Sequence, residues 1–124
     1  MRNVSFAVVA VILGLLVGAC KSTHEEGVKS NIHSQWLVVA ADTKTTTAAA
    51  QSVLASEGLK DVKSESTGVD GKATGKKADG TVITATIKKK TDTSSELTVT
   101  VGSMGEPSLG ASIAKKIQEA AEKR

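Results

Sequence analysis

Aromatic residues are almost absent from this sequence. Its 124 residues include one Trp, one Phe and no Tyr, and the two aromatic positions are Trp36 and Phe6. Pockets for small ligands, platforms for sugars and grooves for single-stranded nucleic acid usually present several aromatic faces. The scarcity of aromatic side chains therefore argues against all three kinds of site. Trp36 is interpreted as a residue of the hydrophobic core.

Histidine and cysteine are also scarce, which limits catalysis and metal binding. His24 and His33 are the only histidines, and Cys20 is the only cysteine, so no disulfide can form within the chain. A zinc site needs three or four rigidly held ligands, whereas His24 lies in a polar segment that reads as a flexible tether. No serine lies in a Gly-x-Ser-x-Gly motif. The sequence predicts a protein that is not an enzyme and holds no metal or cofactor.

The charge balance argues against nucleic acid as a partner. The formal net charge is +3 at pH 7, with basic and acidic residues interspersed. The densest basic cluster is formed by the lysines at residues 88–90, which a hairpin would place near Lys72, Lys76 and Lys77. Such a cluster can contact anionic lipid headgroups. We favour the alternative, in which the lysines decorate a strand edge and discourage pairing with other chains.

The only long apolar segment lies near the N-terminus. Arg2 is followed by an uncharged run at residues 6–16, which is 11 residues long. That length fits the ~7–15-residue apolar region of a secretory signal and is shorter than the ~20 residues of a transmembrane helix. The small residues Gly18 and Ala19 then precede Cys20. The segment predicts that the chain is exported.

Val17-Gly18-Ala19-Cys20 resembles the lipobox of bacterial lipoproteins, in which a branched apolar residue and two small residues precede a cysteine. The resemblance implies a diacylglyceryl thioether on Cys20, cleavage of a signal peptide between Ala19 and Cys20, and acylation of the new amino terminus. Two or three acyl chains anchor a protein stably, whereas a single chain holds it only marginally. The alternative is an ordinary secretory signal followed by an incidental free cysteine.

The residues after Cys20 indicate which membrane holds the protein and how the lipid is connected to the domain. Lys21 stands where the resemblance would place Asp in a lipoprotein retained at the inner membrane. In a cell with two membranes we therefore expect anchoring to the outer membrane, facing the periplasm, and in a Gram-positive cell anchoring to the plasma membrane. The polar residues that follow predict a flexible tether. The expected organisation is a signal peptide at residues 1–19, acylated Cys20 and tether at 20–30, and one folded domain at 31–124.

The first half of this domain predicts a strand followed by a helix. Residues 31–41 place apolar side chains on both faces, with Ile32, Trp36 and Val38 on one face and Leu37 and Val39 on the other. This pattern indicates a strand that is covered on both sides or one that leads directly into a helix. Asp42 is suited to cap that helix, and Gly58 is suited to end it in a left-handed conformation.

The second half predicts a meander of antiparallel strands whose register follows from its turns. Residues 61–67 read as a first, weak strand. Gly80 suits a three-residue hairpin loop between Lys77 and Thr81, because a two-residue loop would set a lysine on the apolar face. A second turn lies at residues 91–94. The predicted cross-strand pairs are Gly75 with Ile83, Ala73 with Ala85, Gly71 with Ile87, Lys88 with Glu96, Thr86 with Thr98 and Thr84 with Thr100.

A helix is predicted at the C-terminal end of the chain. Pro107 suits its first position. One apolar stripe follows at helical spacing, formed by Leu109, Ile113, Ile117, Ala120 and Ala121. We expect this helix to pack where Gly71, Ala73 and Gly75 leave room on the sheet. The predicted fold is α+β: an antiparallel sheet of about five strands with two helices packed on one face, in the order β-α-β-β-β-β-α.

Nearly the whole domain resembles a family of small bacterial lipoproteins that carry a domain of unknown function. The matching features are the strand-to-helix transition that ends at Gly58, the hairpin Ala78-Asp79-Gly80, and residues 96–102, which continue through Met104-Gly105 into the last helix. The resemblance implies a fold and a location in the cell but no activity.

The expected function is that of a lipid-anchored envelope protein without catalytic activity, acting by binding another envelope protein. Its predicted partners are the membrane, through the lipid on Cys20, and that envelope protein. The alternative is a small carrier or sensor that holds an apolar ligand between helices and sheet, since small side chains dominate the predicted core. An envelope hydrolase would need a polar cluster that the sequence does not provide.

Overall fold

The structure, a computed structural model, describes residues 27–124. The predictions for the signal peptide, for Cys20, for His24 and for most of the tether lie outside these residues. The strands are β1 (Lys29–Ser30), β2 (Ser34–Val39), β3 (Lys60–Ser66), β4 (Asp70–Lys76), β5 (Val82–Thr91) and β6 (Ser94–Val101). The helices are α1 (Thr43–Ser56) and α2 (Pro107–Glu122).

All the described strands form one antiparallel sheet, in the order β1-β2-β6-β5-β4-β3. Helix α1 lies over β3 and β4, α2 lies over β2 and β6, and the two helices contact each other on the same face. The predicted α+β fold with both helices on one face is therefore confirmed. The sheet has six strands rather than about five, because the short β1 pairs with Gln35 and Trp36 of β2.

The sequence suggested that the folded domain starts at residue 31, but the domain begins before that residue. Val28 is 7% exposed and belongs to the core, and the next two residues form β1. A turn at Asn31 returns the chain into β2, since its side-chain Oδ1 accepts hydrogen bonds from the backbone N–H groups of His33 and Ser34, both at 2.8 Å. The end of the predicted tether is thus part of the sheet.

Both predicted hairpins are confirmed residue by residue. The N–H of Lys77 donates to the carbonyl oxygen of Thr81 at 2.8 Å, and Gly80 adopts a φ of +91°. The six predicted cross-strand pairs all occur in the β4–β5 and β5–β6 ladders. The weak strand predicted at residues 61–67 is β3. It carries a bulge near Asp61, whose φ is +52°.

Strand β2 is covered on one face only. Leu37 and Val39 face the helices and are at most 4% exposed, whereas Trp36 is half-buried on the opposite face and Val38 is 49% exposed. The expectation that Trp36 lies in the core is wrong, because side chains alternate along a strand and the helices cover only the face of Leu37. The other interpretation of residues 31–41, a strand that leads directly into a helix, is confirmed.

The helix ends follow the predicted signals. The Oδ1 atom of Asp42 accepts a hydrogen bond from the N–H of Thr45 at 2.7 Å, which caps α1. Gly58 ends α1 with a φ of +77°. Pro107 is the first residue of α2.

We expected the small residues of β4 to make room for α2, but Gly71 makes room for α1 and Gly75 for Leu59, which follows α1. A Cβ atom added to Gly71 would meet Oγ1 of Thr47, and one added to Gly75 would lie 3.0 Å from Leu59. Chain connectivity explains the difference. Helix α1 carries the chain across the sheet to β3 at the far edge, whereas α2 folds back over β6, the strand that it follows.

Candidate functional site

The face of the sheet opposite the helices presents a regular array of threonines. Five of them lie in adjacent positions on the inner strands, and each is half-buried by its neighbours. The rows that cross this open face are Trp36, Thr98, Thr86, Lys72 and Glu65; Ser34, Thr100, Thr84, Thr74 and Lys63; and Val38, Glu96, Lys88 and Asp70. The array is polar at its centre, with its charged side chains towards β3 and towards the β5–β6 turn.

One edge of the open face is apolar. We call Met104, Ile32, Trp36 and Val38 the apolar edge strip. Ile32 is 71% exposed, Val38 is 49% exposed and Met104 is 82% exposed. The loop of Met104 touches the loop of Ile32, because a Cβ added to Gly105 would meet the carbonyl oxygen of Ile32. The strip therefore consists of two residues from these touching loops and of Trp36 and Val38 on the open face of β2.

The N-terminal chain joins the domain beside this strip. Lys29 lies directly opposite Trp36 in the β1–β2 ladder. The buried side chain of Gln35 fixes this arrangement, since its Nε2 donates to Oγ of Ser30 at 3.1 Å and to the carbonyl oxygen of Asn31 at 3.0 Å. Lys29 and Ser30, the first strand residues that the structure describes, are thus held against β2.

Beyond β1, the outer edge of β2 is capped by side chains of α2. Nε2 of Gln118 donates to the carbonyl oxygen of Val38 at 3.0 Å, and Oε2 of Glu122 accepts from the N–H of Ala40 at 2.9 Å. These side chains occupy backbone groups that another strand would need for pairing.

Of the two histidines that the sequence offered for metal binding, the structure describes only His33. Ala19, Cys20 and His24 lie outside the described residues. His33 is exposed in the loop between β1 and β2. Within residues 27–124, no group of three or more His, Cys, Asp or Glu side chains is arranged to hold a metal ion.

Three of the six lysines of the cluster form ion pairs. Lys89 lies 3.0 Å from Asp92, Lys90 lies 3.8 Å from Glu96, and Nζ of Lys77 lies 3.5 Å from Glu106. The interpretation that these lysines protect the edge of the sheet is wrong, because β4 and β5 are interior strands. The ion pairs are exposed, and pairs of this kind contribute only ~0–1 kcal/mol each.

Two carboxyl groups have a lowered pKa, and both stabilise local turns. The hydrogen bond from the backbone of Thr45 holds the pKa of Asp42 below its ordinary value of 3.8. The hydrogen bond from the backbone of Thr81 does the same for Asp79 in the β4–β5 loop. Asp42 lies at the start of a helix and Asp79 lies in a hairpin loop, so the hydrogen bonds that lower their pKa values have a structural role.

A cleft with an apolar floor lies between the end of α1 and the start of α2. Its volume is about 270 Å³, and Leu59, Ile83, Leu109 and Ile113 form its floor. Deeper between helices and sheet, the space is filled by side chains that are at most 1% exposed, among them Leu54, Ile83, Ile113 and Ile117.

Residues 4–120 match a protein family of unknown function, DUF3568. The chain belongs to this family. A comparison with curated proteins gave no match. The match to DUF3568 starts ahead of the apolar run and takes in Cys20 as well as the folded domain. Among residues 27–124 of this DUF3568 protein, no helix has the length and apolar character needed to cross a bilayer.

The apolar edge strip is the feature of this DUF3568 domain that the sequence did not reveal. Ile32, Trp36 and Val38 were visible as apolar residues of one strand face. Only the fold shows that the helices leave this face open and that the loop carrying the exposed Met104 touches the loop of Ile32.

Proposed function

We propose that this protein is a lipid-anchored envelope protein without catalytic activity, which acts by binding another envelope protein. A signal peptide at residues 1–19 is cleaved after Ala19, and Cys20 carries the lipid. In a cell with two membranes, the domain is held at the outer membrane and faces the periplasm.

The observation that carries this proposal is the place of Cys20 relative to the fold. Unpaired structural cysteines are usually buried in a core. Cys20 instead precedes Val28, which is buried, by eight positions, and the intervening residues are polar except Gly27. A lipid on Cys20 would therefore lie eight positions ahead of the first core residue that the structure describes. The family match supports the proposal, since it includes the apolar run and the cysteine.

A binding role is supported by the surface of the domain. The open face offers threonine hydroxyls at fixed spacings on a sheet that the two helices brace from behind. The array of Thr84, Thr86, Thr98 and Thr100 suits a docking surface better than a reaction centre, because no base or nucleophile is paired within it.

Co-purification in mild detergent after crosslinking in cells tests the proposal. We expect a reproducible neighbour with the full chain and its loss with Cys20→Ser, because the substituted chain can no longer be acylated. An acylated protein that emerges alone, without a reproducible neighbour, contradicts the binding role.

A photo-crosslinking amino acid placed on either side of the domain shows which surface the partner contacts. Thr86 lies at the centre of the open face, and Ala48 lies exposed on α1, on the other side of the molecule. We expect adducts of one mass from position 86 and none from position 48. Adducts from position 48 alone would move the interface to the helices.

The cleft between α1 and α2 favours a second candidate function, that of a carrier for a small apolar ligand. Its volume of about 270 Å³ suits a short acyl chain rather than a drug-sized molecule. Native mass spectrometry of the protein purified from its own membranes tests this function. A bound mass that is lost in Leu109→Arg supports the carrier, and the bare protein mass alone contradicts it.

A further inference from the structure

The apolar edge strip lies where the lipid anchor would reach the domain. Seven residue steps separate Cys20 from Gly27, the first described residue. A chain of that length spans at most about 25 Å when extended and about 15 Å on average when flexible. Since Lys29 lies opposite Trp36, the edge of the sheet that carries the strip is the part of the domain closest to the anchor.

The strip has the composition of a surface that rests on lipid. Ile32 and Met104 project from adjacent loops and are 71% and 82% exposed. Trp36, an aromatic with a polar N–H, belongs to the residue type that favours the headgroup level of a bilayer. The exposed side chain of Lys29 beside it is suited to headgroup phosphates.

Pairing with another strand is disfavoured at this edge. Gln118 and Glu122 occupy the backbone groups of Val38 and Ala40, so neither a second copy nor an extended peptide could continue the sheet there without displacing them. A bilayer needs no backbone pairing and is the occupant that a lipid on Cys20 brings within reach.

We propose that the apolar edge strip lies on the surface of the bilayer that holds Cys20, an inference that rests on the proposed lipid anchor. Ile32 and Met104 enter the interfacial layer, and Trp36 lies at the level of the headgroups. The sheet then stands with β1 and β2 towards the membrane and β3 away from it.

Trp36 reports on this contact directly, because it is the only tryptophan of the chain. The acylated full-length protein is placed in vesicles of phosphatidylethanolamine and phosphatidylglycerol whose acyl chains carry bromine. We expect the brominated lipid to quench Trp36 and aqueous iodide to be excluded from it. In a Cys20→Ser protein produced without residues 1–19, which has neither the lipid nor the apolar run, we expect iodide to reach Trp36.

A matched control moves the tryptophan along its own row of the sheet. Glu65 lies in the same row as Trp36 on the opposite edge, four strand spacings or about 19 Å away. A protein with Trp36→Phe and Glu65→Trp should be quenched by iodide and not by brominated lipid. Replacing Ile32 and Met104 with Ser in the otherwise unchanged protein should remove most of the lipid quenching of Trp36.

Other results overturn the inference. If iodide quenches Trp36 of the acylated protein and brominated lipid does not, the strip faces water. If neither agent quenches it, another segment or a partner protein covers the strip. Intact mass separates these results from a failure of the proposed function: a Cys20 without lipid contradicts the anchor, and coupling its free thiol to a maleimide-bearing lipid then tests the strip on its own.

Discussion

The threonines at the start of α1 act through packing rather than through helix propensity. Thr46 and Thr47 are buried although β-branched residues are mediocre helix formers. Oγ1 of Thr46 lies 2.9 Å from Oγ of Ser95, which joins the helix to β6. Thr47 donates to the carbonyl oxygen of Thr43 at 2.7 Å and packs against the backbone of Gly71. These contacts offset the low helix propensity of the threonines.

The contact between Gly71 and Thr47 leads to a stability prediction. In Gly71→Ala the new methyl group would meet Thr47 Oγ1 and lie 3.1 Å from Thr47 Cβ, an atom that a change of rotamer does not move. We expect Gly71→Ala to lower the free energy of unfolding by about 1–3 kcal/mol, measured by urea denaturation.

Two variants give this prediction its controls. Gly68→Ala adds the same methyl group at a site with no atom within 4 Å, so it should leave stability nearly unchanged. Thr47→Ala should cost less in the Gly71→Ala background than in the native one, because it removes the clash. Equal stabilities of Gly71→Ala and Gly68→Ala would contradict the packing.

Asp42 makes the stability of α1 depend on pH. Its pKa is lowered in the folded protein by the hydrogen bond from Thr45. A carboxyl group whose folded pKa lies below its unfolded value stabilises the fold above the unfolded pKa, and this contribution is lost as pH falls through the folded value. We expect native stability relative to Asp42→Asn to be constant above about pH 5 and to decline below pH 4. Chemical denaturation across pH measures this, and a constant difference would rule out the ionised cap.

At the level of elements, the outer edge of β2 is closed by α2 as well as by β1. Gln118 and Glu122 lie four residues apart on one side of α2, and both reach the backbone that continues β2 towards α1. The helix thereby protects a strand that carries exposed apolar side chains, where unpaired backbone groups would invite association.

Removing one of these contacts should loosen the edge locally. In Glu122→Ala the N–H of Ala40 loses its acceptor, whereas Glu122→Gln keeps an oxygen in place. We expect hydrogen exchange at Ala40 to accelerate about fivefold in Glu122→Ala, for a net hydrogen bond of ~1 kcal/mol, and to change little in Glu122→Gln. NMR exchange rates provide the measurement. Equal rates in the two variants would show that the carboxylate does not hold this edge.

The sequence predicts elements well where the determinants are local. The β4–β5 register follows from the loop around Gly80 and from the need to keep lysines off the apolar face, and the helix ends follow from Asp42 and Gly58. Strand β1 was missed because its signal is only Val28 in a polar segment, and its pairing depends on the turn at Asn31 and the buried amide of Gln35.

Contacts between distant segments could not be predicted in the same way. Periodicity showed that Gly71 lies on the core face but not which helix would use the space. It also placed Trp36 on a face without showing that the face is open. The apolar edge strip needs Met104 from the loop before α2, and nothing in the local sequence joins that loop to Ile32. The prediction for Cys20, in contrast, depends on its sequence neighbours alone, and Cys20 lies outside the described residues.

At the level of the whole molecule, the proposed anchor site and the core of the domain lie at different places in the sequence. Cys20 lies outside the described fold, and the first residue of the core is Val28. A Cys20→Ser protein produced without residues 1–19 should therefore not associate with membranes, and it should keep the Tm of the acylated protein. Membrane fractionation and thermal melting followed by circular dichroism measure the two effects. A large fall in Tm would show that the N-terminal segment contributes to the fold itself.

The most direct test is the intact mass of the full chain produced in a bacterium and purified from its membranes. We expect a protein that begins at Cys20 and carries the added mass of two or three acyl chains, and an unprocessed or unlipidated product from Cys20→Ser. A native protein cleaved elsewhere, or one whose Cys20 retains a free thiol, would contradict the lipid anchor on which the proposed function depends.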